Sequence, residues 1–120
     1  MADGSYEACV AACNACADAC DHCLSSCLLE PDAADMVRCI AIDLECSVLC
    51  RAMAGFAARG SKFAPGLATM CAELCVACAE ECGAHARKHC QLCVIACRQC
   101  ALACRALAGL GITAPATRPL

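Results

Sequence analysis

The chain has 120 residues, of which 18 are cysteine, and it carries one tyrosine, two phenylalanines and no tryptophan. This length corresponds to a single domain with a modest core. Large apolar side chains are too few to fill that core, so cysteines must occupy much of it. The net charge of −3 and the absence of basic runs argue against nucleic-acid binding. No uninterrupted apolar run approaches the ~20 residues of a membrane span.

The first ten residues, MADGSYEACV, contain no basic segment, no apolar segment and no twin arginine. They therefore predict no export signal, and we expect a cytoplasmic protein. Thiols stay reduced in that compartment, where many cysteines indicate metal ligands more than disulfides.

The first predicted helix, residues 5–29, carries a regular row of cysteines. The gaps between them are 4, 3, 4, 3 and 4 residues, which is the spacing of apolar residues in a coiled-coil heptad. They form a stripe about 80° wide on one helix face. Glu30-Pro31 ends the helix, because the residue before a proline disfavours helical geometry. The stripe consists of Cys9, Cys13, Cys16, Cys20, Cys23 and Cys27.

The second predicted helix, residues 33–58, follows Asp32 as its N-cap and has two apolar stripes. A helix with two apolar faces is either sandwiched or contacts another subunit, and for a small bundle we expect the subunit contact. The inner stripe consists of Met36, Cys39, Asp43, Cys46, Cys50 and Met53. The outer stripe consists of Val37, Ile40, Leu44 and Val48.

The second half of the chain repeats the pattern in predicted helices at 65–85 and 88–109, followed by a tail at 110–120. Cys90 breaks the phase of the third helix, so a turn is expected just before it. The third helix carries Cys71, Cys75, Cys78 and Cys82, and the same stripe extends to His85 and His89. The fourth carries Cys90, Cys93, Cys97, Cys100 and Cys104. Four such helices with short links predict an all-α, antiparallel up-down four-helix bundle with a cysteine-lined core.

Four interpretations of these cysteines are open. Packing alone would be served by Ala, Leu or Val without the risk of oxidation. A disulfide framework fits the even count, but such frameworks join loops and separate elements rather than line regular helices. The C-x-x-C pairs allow thiol–disulfide redox chemistry or an iron–sulfur cluster, although the heptad spacing produces these pairs by itself. Binding of many soft metal ions uses every cysteine.

Soft-metal binding favours Cu(I), with Zn(II) and Cd(II) as competitors. Cu(I) accepts two or three thiolates, and if each thiolate bridges two ions the capacity is about one ion per cysteine, so about 18. One thiolate per monovalent ion leaves a nearly neutral core. Zinc needs about four ligands for each ion. Copper storage is therefore the favoured function, with a general zinc or cadmium thiolate buffer and a thiol–disulfide redox protein as alternatives.

Residues other than cysteine extend the candidate ligand set. Asp43 lies on the inner stripe of the second helix, where a buried acid needs a metal or a hydrogen-bond partner. His85 and His89 share the thiol stripe, and imidazole suits copper. Met36 and Met53 border the inner stripe as ligands or as filler. His22, Arg87 and Lys88 are expected to face solvent.

Three motifs carry a resemblance to a known family: the six-cysteine first helix, the run Cys71-x3-Cys75-x2-Cys78-x3-Cys82, and the junction His85…His89-Cys90-x2-Cys93. Together they resemble the bacterial copper storage proteins, and the cysteine number and absent leader resemble the cytosolic branch. The resemblance implies a four-helix bundle that fills its core with Cu(I), mostly bound by two cysteines, and assembles as a homotetramer. It also places the histidines at the open end of the core, where copper would enter.

No nucleophile–base–orienter arrangement is present in the sequence, so we predict no catalytic residue and no enzyme. The predicted protein is a cytoplasmic reservoir that sequesters many Cu(I) ions. Its expected partners are copper ions, further copies of itself, and a copper chaperone or cuproenzyme as recipient.

Overall fold

Four helices make up most of residues 4–111, the part of the chain that the computed structural model describes. The elements are α1 (Ser5–Leu28), a 3-10 turn (Ala33–Met36), α2 (Val37–Ala58), α3 (Ala64–Gly83) and α4 (Lys88–Ala108). There is no β-strand among residues 4–111. The predicted all-α four-helix bundle is confirmed.

The helices form a square in which each one packs against two neighbours. Helix α1 contacts α2 and α4, and α3 contacts the same two helices. The links at residues 29–36 and 84–87 therefore lie at one end of the bundle, which we call the histidine end. The link at residues 59–63 lies at the other end, which we call the apolar end. This antiparallel arrangement brings the four cysteine stripes to one axis.

Several helix ends differ from the predicted bounds by one to four residues. The second helix, predicted from residue 33, opens with the separate 3-10 turn, and Asp32 forms no side-chain cap. Its carboxylate binds Arg87 instead. The third helix ends at Gly83 rather than at residue 85, and α1 ends one residue before its predicted bound. The predicted tail at 110–120 lies outside the described residues from position 112 onward.

Gly60 turns the chain at the apolar end. It has a φ of 66°, in the left-handed region that glycine adopts without steric cost. Its N–H donates to the Ala57 carbonyl and the N–H of Ser61 donates to the Phe56 carbonyl, both at 3.0 Å. These two bonds form a Schellman motif, which ends α2 and directs the chain into α3.

The residue types that fill the core change along the bundle axis. Its central part consists of cysteine side chains, while the apolar end is closed by hydrocarbon. The fully buried residues that close it include Met53, Ala57, Ala64 and Leu107. At the histidine end Met36 is the one buried large apolar side chain other than cysteine in the described structure. The bundle therefore has one polar end and one apolar end.

The outside of α2 carries the predicted outer apolar stripe. Val37, Leu44 and Val48 are exposed, while Ile40 is half-buried. The described protomer leaves this stripe uncovered.

By length and composition alone, α4 would be able to cross a membrane. Its five cysteines are buried against the other helices, however, and they contribute to its high mean hydropathy. A core helix of a bundle passes the same test, so this property is weak evidence for a membrane span.

Candidate metal centre

Every cysteine side chain lies inside the bundle as a free thiol. All 18 are fully buried, with no exposed surface. The sulfur atoms of contacting pairs are separated by distances from 3.4 Å, as for Cys39 and Cys82, to 4.0 Å, as for Cys100 and Cys104. A disulfide needs about 2.05 Å between its sulfurs. The interior is therefore a column of separate thiols in contact with one another.

The contacts join thiols along a helix and across helices. Along α1, the Cys9 and Cys13 sulfurs lie 3.7 Å apart, as the i,i+4 spacing predicts. Between α1 and α4, the Cys16 and Cys97 sulfurs lie 3.6 Å apart. A metal ion in this column would therefore find ligands from more than one helix.

The thiols form groups of four in which the four sulfur atoms lie within 4.8 Å of one another, and three of the groups overlap at the middle of the column. Cys16 and Cys46 belong to the same two of these groups, and Cys20 and Cys97 link one of those groups to the next. Overlap of this kind permits a thiolate to bridge two ions. Five of the groups are Cys13/Cys71/Cys100/Cys104, Cys16/Cys46/Cys50/Cys75, Cys16/Cys20/Cys46/Cys97, Cys20/Cys78/Cys93/Cys97 and Cys23/Cys27/Cys39/Cys90.

Asp43 lies among the thiols, as its position on the inner stripe predicts. Its side chain is fully buried. The carboxylate Oδ1 accepts from the thiols of Cys78, Cys82 and Cys93, each at 3.4 Å, and Oδ2 lies 3.7 Å from the Cys39 sulfur. Burial raises the pKa of Asp43 to about 8, because the charged form loses its hydration. The site thus places an oxygen donor among sulfur donors.

His89 lies at the histidine end with its ring between thiols and a carboxylate. Its Nδ1 atom is 3.6 Å from the Cys90 sulfur, 3.7 Å from that of Cys23 and 3.8 Å from that of Cys27. Its Nε2 atom is 3.0 Å from Glu30 Oε2. The ring is therefore placed to add a nitrogen donor to the terminal thiol group, which we define as the thiols of Cys23, Cys27 and Cys90 at the histidine end.

His85 has a different environment. Its Nε2 atom is 3.1 Å from Glu81 Oε2, one helical turn earlier on α3. Gln91 Nε2 donates to the His85 carbonyl at 2.6 Å. Among residues 4–111 no hydrogen bond joins the His85 ring to a thiol. The structure brings His89, but not His85, into contact with the cysteines, so a copper role for His85 stays a prediction.

Arg87, which was expected to face solvent, is half-buried and connects the two links at the histidine end. Its Nη1 atom is 2.9 Å from Glu30 Oε1, and its Nη2 atom is 2.5 Å from Asp32 Oδ2. Glu30 and Asp32 flank Pro31 in the first link, so three charged residues hold the second link against it. Sequence reasoning missed Glu30, and the one available signal was its position in a link predicted to share an end with His89.

Burial also raises the pKa of two thiols at the histidine end. It raises the pKa of Cys27 to about 12 and that of Cys90 to about 11, with the charge of nearby Cys39 acting in the same direction. These thiols are protonated at neutral pH in the absence of metal. A soft cation would displace the protons and compensate the thiolate charge that the interior otherwise disfavours.

The two methionines and His22 are the remaining residues that were singled out from the sequence. Met36 and Met53 are buried, at the histidine end and toward the apolar end respectively. No hydrogen bond to either sulfur occurs among the described residues, so their part in metal binding stays a prediction. His22 is exposed, as predicted.

Comparison with known proteins points in the same direction as this geometry. The family model described as "Copper storage protein" matches residues 2–109. No curated protein matches the chain significantly.

Among solved structures, a Cu(I)-bound copper storage protein, BsCsp3, is 39% identical, with a TM-score of 0.83 over 87% of this chain and 98% of that one. Apo-Csp3, copper storage protein 3 from Bacillus subtilis, is 39% identical, with a TM-score of 0.78 over 85% of this chain and 97% of that one. A cytosolic copper storage protein from Streptomyces lividans, loaded with five coppers, is 35% identical, with a TM-score of 0.84 over 90% of this chain and 98% of that one.

The family match covers the four helices of this chain. The solved relatives share the helix arrangement of this chain, and each is named as a copper storage protein. A core of 18 contacting thiols has the chemistry to hold that cargo. The chain belongs to the copper storage protein family.

Proposed function

We propose that this protein stores Cu(I) as a continuous column of ions along the bundle axis, with about one ion per cysteine, so about 18 in all. The observation that carries this proposal is the overlap of the four-thiol groups. Because Cys16, Cys20, Cys46 and Cys97 are each shared by two groups, a thiolate has ions within reach on both sides. Each ion would be bound mostly by two bridging thiolates.

Charge supports Cu(I) over divalent ions. A column of buried thiolates without cations would carry a prohibitive desolvation cost. One monovalent ion for each thiolate brings the net charge of the column close to zero. Zinc would need about four ligands per ion and would use fewer ions for the same thiols.

The ligand set that we propose comprises all 18 cysteines together with Asp43 and His89. Asp43 contacts four thiols in the column, and His89 contacts three at its end. Copper would enter and leave at the histidine end, because hydrocarbon side chains fill the apolar end.

The cellular role follows from this chemistry and from the relatives. A storage protein of the cytosol, as the Streptomyces lividans relative is named, would keep free copper low and release it to a chaperone or cuproenzyme. The protein would act as a reservoir and not as an enzyme. The exposed stripe of Val37, Leu44 and Val48 is the surface that we expect to join protomers in a homotetramer.

Anaerobic titration of the reduced apo-protein with Cu(I), against a competing Cu(I) chelator, tests the proposal. Binding that continues to about 18 equivalents is expected. Saturation at one or two ions would overturn storage. A parallel titration with Zn(II) should stop near a quarter to a half of the cysteine count, since tetrahedral closure uses more thiolates per ion. Zinc binding that exceeds copper in both number and affinity would favour a general soft-metal buffer instead.

A further inference from the structure

The two ring nitrogens of His89 face different chemistry. Nδ1 is directed at the thiols of Cys23, Cys27 and Cys90, at 3.6–3.8 Å. Nε2 lies 3.0 Å from Glu30 Oε2, which belongs to the link between α1 and α2. The ring therefore lies between the thiol column on one side and a carboxylate on the other.

A carboxylate at this distance determines which nitrogen of a neutral imidazole carries the proton. Glu30 accepts a hydrogen bond only if Nε2 bears the hydrogen, and this leaves the lone pair on Nδ1. Ligating histidines commonly donate their other N–H to a carboxylate, which fixes the tautomer and orients the ring. In this protein the fixed lone pair points at the terminal thiol group.

Glu30 is itself held in place. Its second oxygen, Oε1, lies 2.9 Å from Arg87 Nη1, so the two oxygens have separate partners. The Glu30 side chain is 24% exposed and that of His89 is 13% exposed. Water competes weakly for a contact between side chains that are mostly covered.

We infer that Glu30 is a positioning residue for copper transfer: it holds His89 as the Nε2–H tautomer with Nδ1 facing the mouth of the thiol column. This inference rests on the proposed storage function and adds to it a residue whose side chain binds His89 and Arg87 rather than a thiol. Copper arriving at the histidine end then meets an imidazole nitrogen with its lone pair already available. Without Glu30 the ring would sample both tautomers and other orientations.

The alternative is that Glu30 matters only because its ion pair with Arg87 holds the two links together. Asp32 tests this alternative, because Arg87 also binds Asp32. Asp32 joins the same two links, and within the described structure no hydrogen bond or ion pair connects it to His89. Asp32→Asn is therefore a matched control that weakens the link-to-link contact and leaves the histidine pair intact. Glu30→Gln loses the charge that binds Arg87 but keeps an oxygen that accepts from Nε2. Glu30→Ala loses both interactions.

The test combines the His89 tautomer with the rate of copper uptake. Nitrogen-15 NMR of the reduced full-length apo-protein reports which ring nitrogen is protonated. Stopped-flow mixing with limiting Cu(I), held as its bicinchoninate complex, reports the rate of transfer. We expect wild type, Asp32→Asn and Glu30→Gln to show the Nε2–H form and similar rates. Glu30→Ala should show mixed tautomers and uptake slower by about tenfold, the lower bound for loss of such an outer contact. In a His89→Ala background, Glu30→Ala should cause no further slowing.

Other outcomes would overturn the inference. An Nδ1–H tautomer in the wild type would do so without any variant. If copper uptake is slowed as much in Asp32→Asn as in Glu30→Ala, the effect belongs to the contact between the links. The same conclusion follows if Glu30→Ala still slows uptake in the His89→Ala background. Total Cu(I) capacity separates the two hypotheses. If wild type fails to bind many ions, the storage proposal is wrong; if it loads fully and Glu30→Ala matches it in tautomer and rate, only the role of Glu30 is wrong.

Discussion

Asp43 Oδ1 lies 3.4 Å from the Cys93 sulfur across the centre of the bundle. Asp43 is on α2 and Cys93 is on α4, two helices on opposite corners of the square that do not pack directly against each other. The carboxyl group therefore fills the space where four helices face one axis. It places one ionisable oxygen acid in a region made otherwise of thiols.

This position makes the stability of the apo-protein depend on pH. Burial raises the pKa of Asp43 from 3.8 to about 8 in the folded state, so the folded protein keeps this proton where the unfolded chain has lost it. The resulting stability is fully present below pH 4 and is lost as the pH rises toward 8. Over that window the free energy of unfolding should fall by up to about 1.4 kcal/mol per pH unit through this group.

Urea unfolding of the reduced apo-protein between pH 5 and pH 8, under anaerobic conditions, measures this dependence. Asp43→Asn should flatten the profile relative to wild type. Asp35→Asn, at an exposed acid of the 3-10 turn, is the matched control and should leave it unchanged. Parallel profiles for wild type and Asp43→Asn would contradict the prediction.

The two histidines of the predicted mouth should differ in their effect on copper loading. His89→Ala removes a ring that contacts three thiols, whereas His85→Ala removes one that contacts Glu81. We expect slower uptake and release in His89→Ala, a small effect in His85→Ala, and nearly unchanged capacity in both and in the double variant. Stopped-flow transfer from a Cu(I) chelator measures the rates, with His22→Ala as the exposed control. Equal rates in the double variant and wild type would remove the histidines from the entry route.

A polar contact on the seam between α1 and α2 should contribute to stability independently of copper. Ser47 is buried, and its hydroxyl donates to Asp21 Oδ1 at 2.5 Å. Arg51 pairs with Asp18 on the exposed surface. Ser47→Ala should lower the free energy of unfolding by about 1 kcal/mol, and Arg51→Ala by less, because solvent screens the exposed pair.

Thermal and urea unfolding of the apo-protein measure both variants, and Cu(I) titration should give the wild-type capacity for each. A larger loss in Arg51→Ala than in Ser47→Ala would reverse the assignment of the dominant contact.

Met53 offers a test of thioether ligation. It is fully buried among the residues that close the apolar end. If it is filler, Met53→Leu should leave Cu(I) capacity and affinity unchanged and shift the free energy of unfolding by less than about 1.5 kcal/mol, as volume-conserving replacements do. Loss of one bound ion would identify the thioether as a ligand instead.

Much of this structure could be predicted from the sequence because it depends on periodicity. A stripe with alternating gaps of three and four residues can face an axis only if the chain is helical, so the helices and the inward position of each cysteine follow from spacing. The same phase argument placed Asp43 in the core. It extended the stripe of the third helix through His85 and His89, although the helix ends at Gly83.

The features that spacing did not predict depend on contacts at the histidine end between segments distant in sequence. Periodicity ends where a helix ends, so the phase of α3 could not assign His89 to Glu30. Asp32 resembled an N-cap because caps are read from local sequence, but a guanidinium 55 residues away binds its carboxylate. Arg87 was expected to face solvent for the same reason, because its partners Glu30 and Asp32 lie in another link. Contacts of this type are set by the bundle and not by neighbouring residues.

The sharing of Cys16 and Cys46 between the same two thiol groups has a consequence for how copper is held. Ions bound at these two positions would share sulfur donors, and Cys20 and Cys97 would extend the sharing to a third position. Filling one position would then change the donors left for the next, so the affinity for an ion would depend on which neighbouring positions are already occupied. The middle of the interior would therefore act as one polydentate ligand with coupled occupancies, rather than as a row of independent sites.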